Sequence, residues 1–169
     1  IIISRARELA EELAEGLREH TTEDTEVLIA GSVRRQADSV KDLDLVATSA
    51  DPAALGQALA SLEQIESVSS SKDAGVRGVT HSGVPVELRI AAPPQRGNLL
   101  QHLTGSARHN VELREYAVKR GLHVSEYGVE DDESGKTHRC ATEMEVYELL
   151  GLDYVEPELR GARRATRGH

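Results

Sequence analysis

Asp42-Leu43-Asp44 leads into Leu43-Asp44-Leu45-Val46-Ala47, whose apolar content predicts a strand. Side chains two apart on a strand share a face, so the two carboxylates project together. Like charges that close repel and raise one pKa unless a cation neutralises them, which makes a divalent metal their natural partner. A third acid, Glu87, sits between Val86 and Leu88 on the predicted strand Val84 to Ala91. Ahead of the pair runs Gly31-Ser32-Val33-Arg34-Arg35, where a strand ends and a turn or helix begins. Backbone amides at a helix start hold phosphate oxygens, and arginine adds bidentate contacts to them. Met alone, Asp-x-Asp is more often a solvated strand edge, and Gly-Ser a turn with arginines in solvent. Their order along one chain is what points to phosphate chemistry at metal ions.

The elements that must position these residues follow from periodicity. Ala6, Leu9, Ala10, Leu13, Ala14 and Leu17 recur at spacings of three and four, which predicts an amphipathic helix over Ser4 to His20. Glu26 to Ala30 reads as a strand running into Gly31. Pro52 to Leu62 reads as a helix with Asp51 as its N-cap and Pro in the first turn. Gly75 to Thr80 and Val84 to Ala91 pair as strands around His81-Ser82-Gly83, and Pro93-Pro94 stops the sheet. Helices are expected over Gln95 to Leu103, Arg108 to Arg120 before Gly121, and Glu143 to Leu150 before Gly151. A strand is expected over Leu122 to Val129 and a turn over Asp131 to Gly135.

Charge narrows the partners. A net charge of -9 repels polyphosphate at long range, so basic faces must be local. Acids concentrate in Glu8 to Glu26 and Glu126 to Glu158. Arg34, Arg35, Arg108, Arg114, Lys119, Arg120 and the basic string from Arg160 to His169 supply the cations. An aromatic content of 2%, all tyrosine, leaves few stacking platforms and argues against a sequence-tolerant single-strand binder. No apolar run reaches the length of a membrane span, so no membrane role is expected. One cysteine and no signal-like start predict an intracellular, cytoplasmic setting. Cys140 is read as a small buried side chain, and His20, His81, His109, His123, His138 and His169 as surface residues without ligand spacing. Nothing indicates an oligomer.

Gly31-Ser32-x-Arg34-Arg35, followed seven residues later by Asp42-x-Asp44, resembles the palm signature of the nucleotidyltransferase superfamily in its DNA polymerase beta, or family X, form. Thr104-Gly105-Ser106, Asn110, Arg114 and Glu126-Tyr127-Gly128 resemble that family's nucleotide-binding subdomain in type, order and spacing. Leu149-Leu150-Gly151-Leu152 and Pro157-Glu158-Leu159-Arg160 extend the likeness to the bacterial and archaeal branch. In that branch a helix-hairpin-helix domain precedes this region and a polymerase and histidinol phosphatase domain follows it, so the resemblance implies an excised piece.

The resemblance implies an α+β fold: a nucleotidyltransferase palm with a mixed sheet and flanking helices over 1–94, then a small α/β thumb-like nucleotide-binding subdomain over 95–169. It implies a DNA polymerase that fills gaps by two-metal transfer of a nucleotide from a dNTP to a primer 3′-hydroxyl, with primer-template or gapped DNA as partner. Asp42, Asp44 and Glu87 would hold two Mg²⁺ or Mn²⁺ ions; Gly31, Ser32 and Arg35 would bind the triphosphate. Gly105 and Ser106 would form the turn under the sugar, where a cis peptide is typical, Asn110 would reach the base edge, and Arg114 the template. The plainer alternatives are a helix cap for Asn110 and a surface ion pair with Glu115 for Arg114. Glu126 and Tyr127 would stabilise a hinge.

The chain departs from the family pattern at several positions. Glu87 stands where the family has aspartate, His102 and Leu103 replace two aromatics, and Val40 and Lys41 replace small residues. Those departures support an alternative, a nucleotide- or metal-binding module with weak or no catalysis.

Overall fold

The computed structural model describes residues 1–22, 25–49, 51–70 and 75–161. They divide into two compact units, Ile1–Ala92 and a second from Pro93 onward. The basic string expected at the end of the chain lies, beyond Gly161, outside the described residues.

In the first unit α1 (Ile3–Glu19) buries Ala6, Leu9, Ala10, Leu13, Ala14 and Leu17, the stripe that periodicity predicts. Each fully buried leucine stabilises by roughly 1.5–3 kcal/mol, before the entropy of ordering it is counted. The stripe packs on a five-stranded mixed sheet in the order β1-β2-β5-β4-β3, formed by β1 (Glu26–Ala30), β2 (Leu43–Thr48), β3 (Ile65–Ser70), β4 (Gly75–Thr80) and β5 (Pro85–Ala91). Only β2 and β5 run parallel; the other pairs are antiparallel. Leu43, Leu45 and Ala47 of β2 and Val86, Leu88 and Ile90 of β5 join the core on one face. The alternating residues of both strands are thereby committed to the other face. Between β1 and β2 a single turn, α2 (Gly31–Arg34), follows. In α3 (Pro52–Ser61) Asp51 accepts a hydrogen bond from Ala54 N at 3.2 Å, the expected cap.

β3 has no counterpart among the sequence expectations. Its Ile-Glu-Ser-Val-Ser-Ser sequence exposes five of its six residues, and an edge strand held by main-chain bonds to β4 alone shows no apolar alternation to read.

The second unit comprises α4 (Arg96–Thr104), α5 (Ala107–Val118), a three-stranded antiparallel sheet and α6 (Glu143–Leu150). Its core gathers Leu113, Ala117, Val124, Val129, Cys140, Val146, Tyr147, Leu150, Leu152 and Val155. The single strand expected over Leu122 to Val129 is two, β6 (Leu122–Ser125) and β7 (Gly128–Asp131). Ser125 Oγ accepts a hydrogen bond from Tyr127 N at 3.1 Å and closes a tight turn, for which Ser125 and Gly128 are the sequence signal. β8 (Thr137–His138) completes the sheet. Gly151 ends α6 in the left-handed region at φ 72°, as expected.

Arg160, buried, donates through Nη1 to Glu143 Oε2 at 2.6 Å and through Nε to Val155 O at 2.9 Å, and lies over the Tyr147 and Tyr154 rings. His109 is fully buried rather than at the surface, its Nε2 2.8 Å from Tyr147 Oη. Burial pushes its pKa down to about 4. On α5 both faces carry polar residues, so the side that packs is not marked in the sequence.

Candidate active site

β2 runs between β1 and β5, and the burial of Leu43 and Leu45 turns Asp44 to the opposite face. Asp44 is in register with Ala30 on β1 and with Glu87 on β5. Residues paired across adjacent strands hold their Cβ atoms about 5 Å apart on one face, so Asp44 and Glu87 are neighbours that local sequence alone does not reveal. Asp42 precedes the strand and is exposed, whereas Asp44 and Glu87 are half-buried.

The Asp44 carboxyl is pushed up to about 6. Burial is the first cause, the charges of Glu87 and Asp42 add to it, and Arg35 opposes them. Asp42 and Glu87 thus both act on the Asp44 carboxyl through their charge. Burial holds the Arg35 guanidinium below its usual range, and Asp44 draws it back up.

Gly31 follows the β1 residue paired with Asp44. Its φ is 63°, and a Cβ there would meet the Asp44 carboxylate, 2.9 Å from Cγ. Glycine is therefore required twice, for conformation and for space. Ser32, half-buried, follows at the start of the single turn. In a first turn the leading amides have no partner within the helix and face outward to whatever lies ahead. The Gly31 turn thus adjoins Asp44 and Glu87 across β1, β2 and β5.

In the second unit Gly105 has φ 65°, and the Gly105–Ser106 peptide is cis. Ser106 Oγ accepts from His109 N at 3.2 Å, so Ser106, not Asn110, caps α5. The Asn110 amide is engaged inside the unit: Nδ2 donates to His102 O at 2.9 Å and Oδ1 accepts from Gln101 Nε2 at 2.7 Å. Gln101 escaped the sequence reading because this pairing crosses the turn between two helices. Arg114 is exposed one helical turn later. Glu126 O accepts from Gln95 Nε2 at 3.0 Å, while Tyr127 is exposed. Cys140 is buried, and burial pushes its thiol up.

Among the described residues no three Asp, Glu, His or Cys side chains converge tightly enough to hold a metal ion as they stand. The donor chemistry nonetheless fits one. Asp44 and Glu87, in register on neighbouring strands, and Asp42, two residues before Asp44, carry hard oxygen donors, and the burden that Glu87 and Asp42 place on the Asp44 carboxylate is one that a hard divalent cation would relieve.

Residues 99–161 match the family model of the DNA polymerase beta thumb. A DNA polymerase/3′-5′ exonuclease PolX of Bacillus subtilis is 35% identical over 153 residues, which cover 88% of this chain and 27% of the relative. A DNA nucleotidylexotransferase of Eulemur macaco is 31% identical over 96 residues, 56% of this chain and 19% of the relative. A DNA-directed DNA/RNA polymerase mu of Homo sapiens is 35% identical over 80 residues, 47% of this chain and 16% of the relative. The chain spans about a quarter or less of the length of these relatives. With a thumb match in its second unit and one relative whose similarity reaches across most of its length, the chain is similar to the family X DNA polymerases.

Proposed function

We propose that this chain transfers a nucleotide from a dNTP to the 3′-hydroxyl of a primer in gapped DNA, as a cytoplasmic repair polymerase core. The palm would be 1–94 and the nucleotide-binding subdomain 95–169. The observation that carries the reading is the register of Asp44 with Glu87 on the parallel strand pair, beside the Gly31 turn.

Asp42, Asp44 and Glu87 would hold two Mg²⁺ or Mn²⁺ ions. Such ions, when bound, lower the pKa of the attacking hydroxyl and neutralise the triphosphate. Gly31 lets the chain approach the leaving phosphates closely, and Ser32 and Arg35 bind their oxygens. Gly105 and Ser106 form the turn beneath the sugar, Asn110 faces the base edge and Arg114 the template strand. Asn110 is already hydrogen-bonded once through each end of its amide, which orients the side chain, and its second Nδ2 hydrogen is the donor that would meet a base edge.

Primer extension on gapped DNA with Mg²⁺ or Mn²⁺ tests this. Wild type extends, and Asp44→Ala lowers the rate by about 10²-fold or more, the scale of removing a preorganised charge-stabilising group. Extension untouched by that substitution would remove Asp44 from the chemistry.

A second reading, a nucleotide- and metal-binding module with little catalysis, is favoured by glutamate at position 87, one methylene longer than the family's aspartate. It predicts a binding isotherm for triphosphate with Mg²⁺ and no extension. Extension restored by Glu87→Asp would mark a weakened catalyst, and continued silence the binding module.

A further inference from the structure

Arg77 on β4 is in register with Glu87, which is in register with Asp44. Val76 packs against the core, so its neighbour Arg77 projects to the face that carries the acids. One row across three strands therefore reads Asp44, Glu87, Arg77, with Arg77 exposed at its outer end. Nothing in the local sequence Gly75-Val76-Arg77-Gly78 marks this arginine; only the β4–β5 register does.

The row has a direction. The Gly31 turn and Arg35 lie on the Asp44 side, and Arg77 lies on the far side of Glu87. In-line displacement at phosphorus sets the attacking and leaving oxygens on opposite sides of the reacting group. With the leaving phosphates held at the Gly31 turn, the attacking strand must arrive from the Glu87 side, where Arg77 is the cation in line. Beside it on that face, Ser69 is paired with it on β3, and Gly75 and Val79 lie two residues either way along β4, so these neighbours bring no negative charge. A polyanionic strand can therefore lie against the sheet there.

Resting on the nucleotidyl-transfer reading, we infer that Arg77 is a positioning residue that seats the primer strand by contacting a backbone phosphate next to its 3′ end. The contact holds the strand against the sheet and takes no part in bond making, so it acts on strand affinity and not on the chemical step.

The test uses the whole chain with gapped DNA, read by fluorescence anisotropy over a salt series and by steady-state extension. Arg77→Gln raises the KM for DNA about 5–20-fold, leaves kcat within about twofold, and reduces the slope of log affinity against log salt by about one phosphate contact. Arg77→Lys restores most of the slope, because a point charge still meets a phosphate. Neutral methylphosphonates at the last two primer linkages weaken wild type as much as Arg77→Gln does and weaken that variant no further. The same substitution in the template strand leaves the two proteins' ratio unchanged. An unaltered salt slope in Arg77→Gln overturns the assignment, as does a loss that tracks template and not primer neutralisation. These binding readouts stand even if no extension occurs, a result that would count against the polymerase reading and leave the Arg77 contact to be judged by its slope.

Discussion

At position 44 a carboxylate is kept where its charge is unwelcome. Its pKa of about 6 lies above the ordinary 3.8, so the folded state holds the proton more tightly than the unfolded chain. Stability is greatest below pH 3.8 on this account, falls as pH rises towards 6, and stays reduced above it. Metal-free Asp44→Asn is therefore more stable than wild type at pH 7.5 by about 1–2 kcal/mol, after allowance for partial exposure, seen as a higher Tm. An equal or lower Tm contradicts the electrostatic account. Gly31→Ala meets two obstacles, a φ of 63° and the Asp44 carboxylate. It loses roughly 1–2 kcal/mol of stability to backbone strain and lowers extension more than tenfold by displacing that carboxylate. A variant with wild-type melting and rate would show the close approach to be dispensable.

Elements explain which of these residues could be read in advance. Strand alternation around Leu43 and Leu45 announced Asp42 and Asp44, and Gly31 marked the end of β1, because both signals are local. That Glu87 stands beside Asp44 depends on a parallel pairing more than forty residues apart in sequence, which periodicity cannot supply. The family resemblance supplied it instead. Arg77 had neither signal, and the polar edge strand β3 and the Ser125 turn left no hydrophobic pattern to follow. His109 shows the limit on a helix: α5 carries polar groups on both faces, and the histidine that packs against Tyr147 looks no different from one in solvent. Its pKa of about 4 lies below the usual 6.5, so it contributes fully above pH 6.5 and loses that contribution as pH falls towards 4. The total is about 3 kcal/mol. The fall in Tm between pH 6.5 and 4 should be visibly shallower in His109→Gln than in wild type, and an identical fall would mean that other groups carry it.

For the whole molecule, a net charge of -9 sets the condition under which any polyanion can be handled. Long-range repulsion must be met by short-range cations, whether Arg35 and Arg77 on the acid face or Arg114 on α5, and by ions from solution. No helix among the described residues is long and apolar enough to cross a membrane. Each unit has its own core, so the acid face and the Ser106 turn rest on separate sets of packed residues. We propose that Asp42, Asp44 and Glu87 act as one cation site. Calorimetric titration of the chain with Mn²⁺ tests it most directly. Wild type should give a saturable binding heat and a rise in Tm, with both abolished in Asp44→Asn; equal heats in the two proteins, or none in wild type, would contradict it.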